Sequence, residues 1–135
     1  METRYLLDAN IVIYLRQRRP EAVVRRFDRL QPGEAAVSVI AYGELQCGAM
    51  KSSQRAAGLE RLRELTQALP ALPLPEKAAE TYGFIRADLE SRGEVIGNND
   101  LWIAAHALAS GLTLVTNNEK EFRRVRGLKV QNWVS

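Results

Sequence analysis

The stretch Tyr5-Leu6-Leu7-Asp8-Ala9-Asn10 decides the fold, because a short apolar run in it stops abruptly at a carboxylate. A strand that is apolar on both faces is typical of a central strand in a parallel sheet that helices cover on both sides. In open α/β sheets, ligands bind just beyond the carboxyl ends of the strands, which is where Asp8 would stand. The pattern also fits a simpler role, in which Asp8 only caps the helix that follows it.

Extended and helical segments alternate along the rest of the chain. Further strands are predicted at 35–38, 71–74, 113–116 and near 128–130, and helices at 11–16, 21–30, 40–50, 55–69, 75–92 and 99–110, with a short helix around 121–122. Strands that alternate with helices are joined by crossovers, which produce a mainly parallel sheet between helical layers. We therefore predict an α/β fold, a three-layer α/β/α sandwich, with residues 1–135 forming a single domain.

Composition excludes several classes of protein and of site. A chain of 135 residues with 46% hydrophobic and 26% charged residues is long enough for one well-packed domain, and it contains no apolar stretch long enough to cross a membrane. The single cysteine, Cys47, excludes an internal disulfide and is typical of the reducing cytoplasm. With one histidine and one cysteine, the chain cannot form a zinc site of the His/Cys type, so any metal would be bound by oxygen atoms.

The basic residues are clustered, although the net charge is only +3. One cluster lies near the start of the chain and contains Arg16, Arg18, Arg19, Arg25, Arg26 and Arg29; the other lies near the end and contains Lys120, Arg123, Arg124, Arg126 and Lys129. Such clusters around an acidic site would hold a polyanion over metal ions, and we take Lys120, Arg123 and Arg124 as candidate residues for binding it. Each cluster taken singly also fits a solvated helix face.

Two further carboxylates occupy positions where a helix should be apolar. The helical neighbours of Glu44 are Ile40, Ala41, Cys47 and Gly48, and those of Asp100 are Ile103, Ala104, Ala107 and Leu108. A charge on a buried stripe is costly unless it is paired or bound to a metal, although each acid alone also fits a surface residue. Asp8, Glu44 and Asp100 are thus expected at one rim, where Mg²⁺ or Mn²⁺ would offset their repulsion.

Several segments together resemble PIN-domain ribonucleases, and among them the VapC toxins most closely. These segments are Asp8-Ala9-Asn10, the residues 38–45, the residues 96–107, Thr113-Leu114-Val115-Thr116-Asn117-Asn118, Glu121-Phe122 and Val130-Gln131-Asn132-Trp133. The resemblance covers essentially the whole chain. The short acidic motifs are weak individually, whereas their order and spacing together are specific.

The resemblance implies an Mg²⁺- or Mn²⁺-dependent endoribonuclease that acts as the toxin of a bacterial toxin–antitoxin pair. It implies hydrolysis of RNA phosphodiester bonds by metal-activated water, a homodimer, and neutralisation by a small VapB-like antitoxin, with no membrane partner. By position, Asp8, Glu44 and Asp100 match the catalytic, metal-binding acids of the family. Transfer RNA and ribosomal RNA loops are both targets within the family, and the sequence does not select between them.

A fourth acid is common in the family, and here its position is matched to Asn118, with Glu119 as a weaker alternative, which leaves a second metal in doubt. Asn10 and Thr116 are second-tier candidates for positioning water or phosphate. His106 lies six residues after Asp100, roughly 600° of helical rotation, so we expect a structural or surface histidine and not a general base.

Three alternatives remain open at this point. A receiver domain would need an acid paired with Asp8 and a lysine at the end of the strand at 113–116, and a haloacid-dehalogenase phosphatase would need an aspartate in place of Asn10. A catalytically silent PIN-like RNA-binding module would be compatible with loss of the fourth acid, although the three remaining acids argue against it.

Overall fold

Five short strands form the central sheet of the computed structural model, which describes residues 2–134. In chain order they are β1 (Tyr5–Leu7), β2 (Ala35–Ser38), β3 (Ala71–Leu72), β4 (Thr113–Val115) and β5 (Val130–Gln131). Their order across the sheet is β3-β2-β1-β4-β5, and every neighbouring pair is parallel. The apolar run at the start of the chain is therefore the central strand, as the sequence predicted.

Seven helices connect and cover these strands. They are α1 (Ala9–Gln17), α2 (Glu21–Asp28), α3 (Val39–Lys51), α4 (Arg55–Ala68), α5 (Ala78–Arg92), α6 (Asn98–Ala109) and α7 (Glu119–Phe122). The predicted bounds differ by a few residues. For example, α5 begins at Ala78 and not at Pro75, because the carbonyl groups of Pro75 and Glu76 accept hydrogen bonds in a turn before the helix.

The core lies on both faces of β1. Side chains of consecutive strand residues point to opposite faces, and Leu6 and Leu7 are both 0% exposed, so helices cover the sheet on both sides. This arrangement confirms the predicted three-layer α/β/α fold. Within residues 2–134, no helix combines the length and the apolar character needed to span a lipid bilayer.

The parallel register brings the carboxyl ends of three strands to one edge of the sheet. Leu7 of β1 lies opposite Val37 of β2 on one side and Val115 of β4 on the other. The residues that follow, Asp8 and Thr116, are therefore neighbours, and the Asp8 amide donates to the carbonyl of Val115 at 3.0 Å. Because α1 begins at Ala9 and α3 at Val39, the amino ends of both helices also lie at this edge.

Candidate active site

Asp8 is held in place at the end of β1 by two hydrogen bonds to its carboxylate. Oδ1 accepts from the amide of Ile11 at 3.1 Å, which makes Asp8 the N-cap of α1, and Oδ2 accepts from the hydroxyl of Thr116. Burial raises the pKa of Asp8 above its ordinary value, and the negative charge of Glu44 adds to this, although the hydrogen bonds from Thr116 and Ile11 act in the opposite direction. Asp8 is therefore a helix cap, and this capping role is compatible with the functional role predicted from the sequence.

Asp100 lies in the first turn of α6, half-buried, beside a second carboxylate from α7. Burial, followed by the adjacent carboxylate of Glu121, raises the pKa of Asp100 from its ordinary value to about 7. The charges of Glu44 and Asp8 contribute in the same direction. The surroundings of Asp100 therefore disfavour its charged form, as burial and a neighbouring carboxylate do for any acid.

Glu121, which the sequence did not single out as a candidate, lies beside Asp100. Its Oε1 accepts from the amide of Gly97, the N-cap residue of α6, at 3.3 Å, and its Oε2 accepts from the side-chain amide of Asn118. In the sequence, Glu121 belongs to the Glu121-Phe122 segment that resembles the PIN-domain family. In the structure, the neighbouring Phe122 is only 1% exposed. An aromatic residue in a short helix is expected to be buried and so to fix the orientation of that helix. Phe122 was therefore the sequence feature that could have indicated the direction of the Glu121 side chain.

The two positions considered from the sequence for a fourth acid lie differently. Asn118 is exposed at the edge of the site, where it donates to Glu121 and therefore contacts the fourth acid without replacing it. Glu119 does not approach Asp100: its carboxylate pairs with Arg123 at 3.0 Å, which lowers its pKa, and it also accepts from Asn132. The structure therefore favours Glu121 over Glu119 as the acid beside Asp100, because α7 directs the two side chains to different neighbours.

Glu44 is exposed, so its predicted place on a buried stripe is wrong. Cys47 and Gly48, two of the neighbours that suggested burial, are not part of the core, because α3 has a groove beside it on this side. The small residues around Glu44 line that open groove together with Asn10, which is also exposed. Glu44 nevertheless belongs to the acidic group, since its charge raises the pKa of both Asp8 and Asp100.

Thr116 links two parts of the site through one hydroxyl group. It is 0% exposed, donates to Asp8 and accepts from the backbone amide of Asn118 at 2.9 Å. Thr116 therefore orients a carboxylate and fixes the turn that leads to Glu121. This contact differs from the expected role of positioning water or phosphate directly.

His106 is a structural residue, which agrees with the sequence prediction. It is 2% exposed, its Nδ1 lies 3.0 Å from the hydroxyl of Ser38, and burial lowers its pKa. The Ser38 hydroxyl also accepts from the amide of Ile40 and so caps α3. His106 thus supports the beginning of the helix that carries Glu44 and does not join the acidic group.

The C-terminal basic residues lie next to the α7 segment. Arg123 pairs with Glu119, whereas Arg124 donates to the carbonyl of Val95 at 3.1 Å and its own carbonyl accepts from Arg92 at 2.7 Å. Arg124 therefore holds the end of α7 against the loop before α6, which is the same junction that Glu121 contacts. Lys120 is exposed and, within residues 2–134, makes no ion pair.

The donor set fits a hard divalent cation. Asp8, Glu44, Asp100 and Glu121 offer only carboxylate oxygens, which Mg²⁺ and Mn²⁺ prefer. In the part of the chain that the structure describes, no three acidic, histidine or cysteine side chains converge on one point closely enough to hold an ion. The carboxylates repel one another, since the charges of Glu121, Glu44 and Asp8 all raise the pKa of Asp100. A cation is the charge that would draw the remaining carboxylates together.

Comparison with known proteins agrees with this architecture. The PIN domain family model matches residues 5–128. Ribonuclease VapC2 of Haemophilus influenzae is 42% identical over 131 residues, 97% of this chain and 98% of that protein. The tRNA(fMet)-specific endonuclease VapC of Shigella flexneri is 36% identical over 96% of this chain and 98% of its own length.

Solved structures show the same similarity in three dimensions. A chain in the crystal structure of VapBC2 from Rickettsia felis, bound to a DNA fragment from its promoter, has a TM-score of 0.89 at 37% identity, covering 98% of this chain and 99% of that one. A chain of VapBC-1 from nontypeable Haemophilus influenzae also has a TM-score of 0.89, at 38% identity and with 100% of both chains covered. These matches decide against the receiver and phosphatase alternatives.

Proposed function

This chain belongs to the PIN-domain family, and on that premise we propose that it is a metal-dependent endoribonuclease, the toxin of a bacterial toxin–antitoxin pair. One observation carries the proposal: carboxylates from four different segments lie around the carboxyl end of β1, where the charge of Glu44 raises the pKa of Asp8 and the charges of Glu44 and Glu121 raise the pKa of Asp100. These residues are Asp8, Glu44, Asp100 and Glu121. An array of carboxylates without a basic partner has no evident structural purpose, whereas it is suited to hold cations against a phosphodiester.

The residues of the chain prepare the site in a defined way. Hydrogen bonds from Ile11 and Thr116 fix the orientation of the Asp8 carboxylate and leave its remaining lone pairs for a ligand. Asp100 has to lose its proton before it serves as a ligand, so we expect cation binding to release a proton near neutral pH. When bound, Mg²⁺ or Mn²⁺ would neutralise the attacked phosphate and acidify a nearby water molecule.

The catalytically silent alternative loses its main support. It rested on the absence of a fourth acid, and Glu121 now supplies one beside Asp100. Whether the site holds one cation or two depends on whether Glu121 and Asp100 bind separately from Asp8 and Glu44. Asn118 would act at the edge of the site by orienting Glu121, and Asn10 by contacting substrate in the groove next to Glu44.

The partners follow from the relatives. Similar chains come from VapBC structures, which supports a small VapB-like antitoxin as the neutralising partner. We also propose a homodimer, and cellular RNA as the substrate, which locates the activity in the cytoplasm. The name of the Shigella flexneri relative makes initiator transfer RNA the first substrate to test.

The test is cleavage of transfer RNA and total RNA by the purified protein, freed from any antitoxin, in Mg²⁺, in Mn²⁺ and in EDTA. Asp8→Asn, Glu44→Gln and Asp100→Asn should each abolish cleavage while the protein stays folded. Glu60→Gln is the matched control, because Glu60 is exposed on α4 and pairs with Arg63 away from the acids. Full cleavage in EDTA, or full cleavage by the three variants, would reject the proposal.

A further inference from the structure

A groove of about 310 Å³ begins at Glu44 and runs along α1, α3 and α4. On α1 it is lined by Asn10, Ile13 and Arg16, which are spaced three residues apart and so lie along one side of the helix. Because α1 and α3 both begin at the acidic edge, residues nearer to their amino ends lie closer to that edge. Arg16 lies six residues beyond Asn10, so it stands about 9 Å farther along the helix.

Two arginines in this groove are free to bind a ligand. Arg16 on α1 and Arg61 on α4 are exposed, and within residues 2–134 neither makes an ion pair or a side-chain hydrogen bond. Their neighbour Arg63 pairs with Glu60 and lines a different groove, which also contains Tyr42. Free guanidinium groups offer planar, always charged donors that match the geometry of phosphate oxygens.

Two glycines shape the groove. Gly48 lies in the interior of α3, where glycine is less favourable than alanine, and a Cβ atom there would meet no atom within 4 Å. Gly58 of α4 is buried, and a Cβ atom on it would lie 3.4 Å from the Cβ of Ala49. Gly58 therefore lies where α4 packs closely against α3, and the absence of a side chain at Gly48 leaves space open in the groove.

We propose that this groove is a phosphate-binding subsite for the RNA strand, in which Arg16 and Arg61 hold the sugar–phosphate backbone on one side of the bond presented to the acids. The inference rests on the proposed ribonuclease function and assigns its substrate path. An acidic site repels a polyanion, so a strand that reaches Glu44 needs positive charge on its flank. The offset of about 9 Å along α1 corresponds to about two or three nucleotides at the roughly 3.4 Å axial rise per nucleotide of a stacked strand.

Binding of a short fluorescein-labelled single-stranded RNA, measured by anisotropy in EDTA over a range of salt concentrations, tests the subsite. Arg16→Gln and Arg61→Gln should each weaken binding roughly tenfold, and each should reduce the slope of log affinity against log salt by about 0.7, the value for one phosphate contact on a single strand. Arg63→Gln is the matched control on the same helix and should leave both quantities unchanged.

A steric variant tests the groove without removing charge. Gly48→Leu should fill the space beside Glu44 and weaken RNA binding, whereas Gly83→Leu should have no effect on it, because Gly83 is an exposed helical glycine of α5 with no atom within 4 Å of an added Cβ. Circular dichroism and thermal melts of both variants show whether the fold is retained. If Gly48→Leu unfolds the protein, Gly48→Ser provides a smaller side chain for the same comparison.

The outcomes separate this inference from the function on which it rests. A wild-type protein that cleaves RNA, with arginine variants that bind RNA as tightly as the wild type, overturns the subsite alone. If those variants instead lose binding of a polyglutamate peptide, the groove takes an acidic protein segment, which also overturns it. A wild type that neither cleaves nor binds RNA overturns both proposals.

Discussion

The carboxyl group of Asp100 on α6 lies beside the carboxylate of Glu121 on α7, although both side chains are acidic. The contact raises the pKa of Asp100, already increased by burial, to about 7. A carboxyl group whose pKa is raised by burial and by a neighbouring acid is typical of a functional site, because such an arrangement does not favour stability.

The first prediction concerns stability and pH. The folded state holds the Asp100 proton up to a pKa of about 7, compared with an ordinary value of 3.8, so unfolding releases a proton between these values and the free energy of unfolding falls as pH rises through that window. Above pH 7, Asp100→Asn should make the metal-free protein more stable by about 1–3 kcal/mol. The gain is limited because Asp100 is only half-buried, and water screens its repulsion from the neighbouring acids. The difference should shrink towards pH 4.

Thermal melts of the wild type and Asp100→Asn across this pH range, in EDTA and in excess Mg²⁺, provide the measurement. Mg²⁺ should stabilise the wild type more than the variant, because a ligand stabilises the state that binds it. A variant that melts below the wild type in EDTA at pH 8 would show that Asp100 is only a favourable acid at a helix terminus.

The second prediction distinguishes two acids on the same short helix. Glu121→Gln should reduce the rate of RNA cleavage at least about 100-fold, on the order of the effect of losing one charged group that stabilises a transition state. Glu119→Gln should leave the rate nearly unchanged, because Glu119 pairs with Arg123 on the surface. Cleavage rates at saturating Mn²⁺ decide between them, and equal losses in both variants would indicate that α7 as a whole, and not Glu121, supports activity.

The third prediction concerns the hydroxyl of Thr116. Thr116→Val leaves the Asp8 carboxylate and the Asn118 amide without their buried partner, which should destabilise the protein by about 1–3 kcal/mol and raise the pKa of Asp8 further. The acidic limb of the pH–rate profile should therefore move to higher pH. Thr116→Ser, which keeps the hydroxyl, should restore the profile of the wild type. A purely structural role would lower the melting temperature of Thr116→Val without moving that limb.

The fourth prediction concerns the basic residues near α7. Replacing Arg123 and Arg124 together by glutamine should weaken RNA binding and reduce its salt slope by about 0.7 for each phosphate that these side chains neutralise in the wild type. The single variants should differ, since Arg124 also donates to the carbonyl of Val95 and its loss loosens the loop before α6. Arg25→Gln, on α2, serves as the control for loss of an exposed, paired arginine. An unchanged slope in the double variant would assign both arginines to packing alone.

Much of this protein could be predicted from the sequence, because the relevant patterns are local. The apolar run that ends at Asp8 indicated the central strand and the edge at which a ligand would bind. Asp100 was predicted as a candidate site residue because a charged side chain on the apolar stripe of a helix is unfavourable when that stripe packs against the core. The order and spacing of the motifs indicated the PIN-domain family, because each motif lies within one short segment of the chain.

Only the tertiary structure decided the environment of each acid. Helical periodicity distinguishes the two sides of a helix, but it does not show whether a side lined with small residues faces the core or an open groove, and for Glu44 it is the groove. In the same way, the sequence alone does not distinguish residues 119 and 121, which are both glutamates among polar neighbours. The burial of Phe122 fixes the orientation of α7 and gives the two side chains different neighbours. The pairing of Asp100 with Glu121 spans two helices, and such a contact depends on how the helices pack against each other and not on the properties of either segment alone.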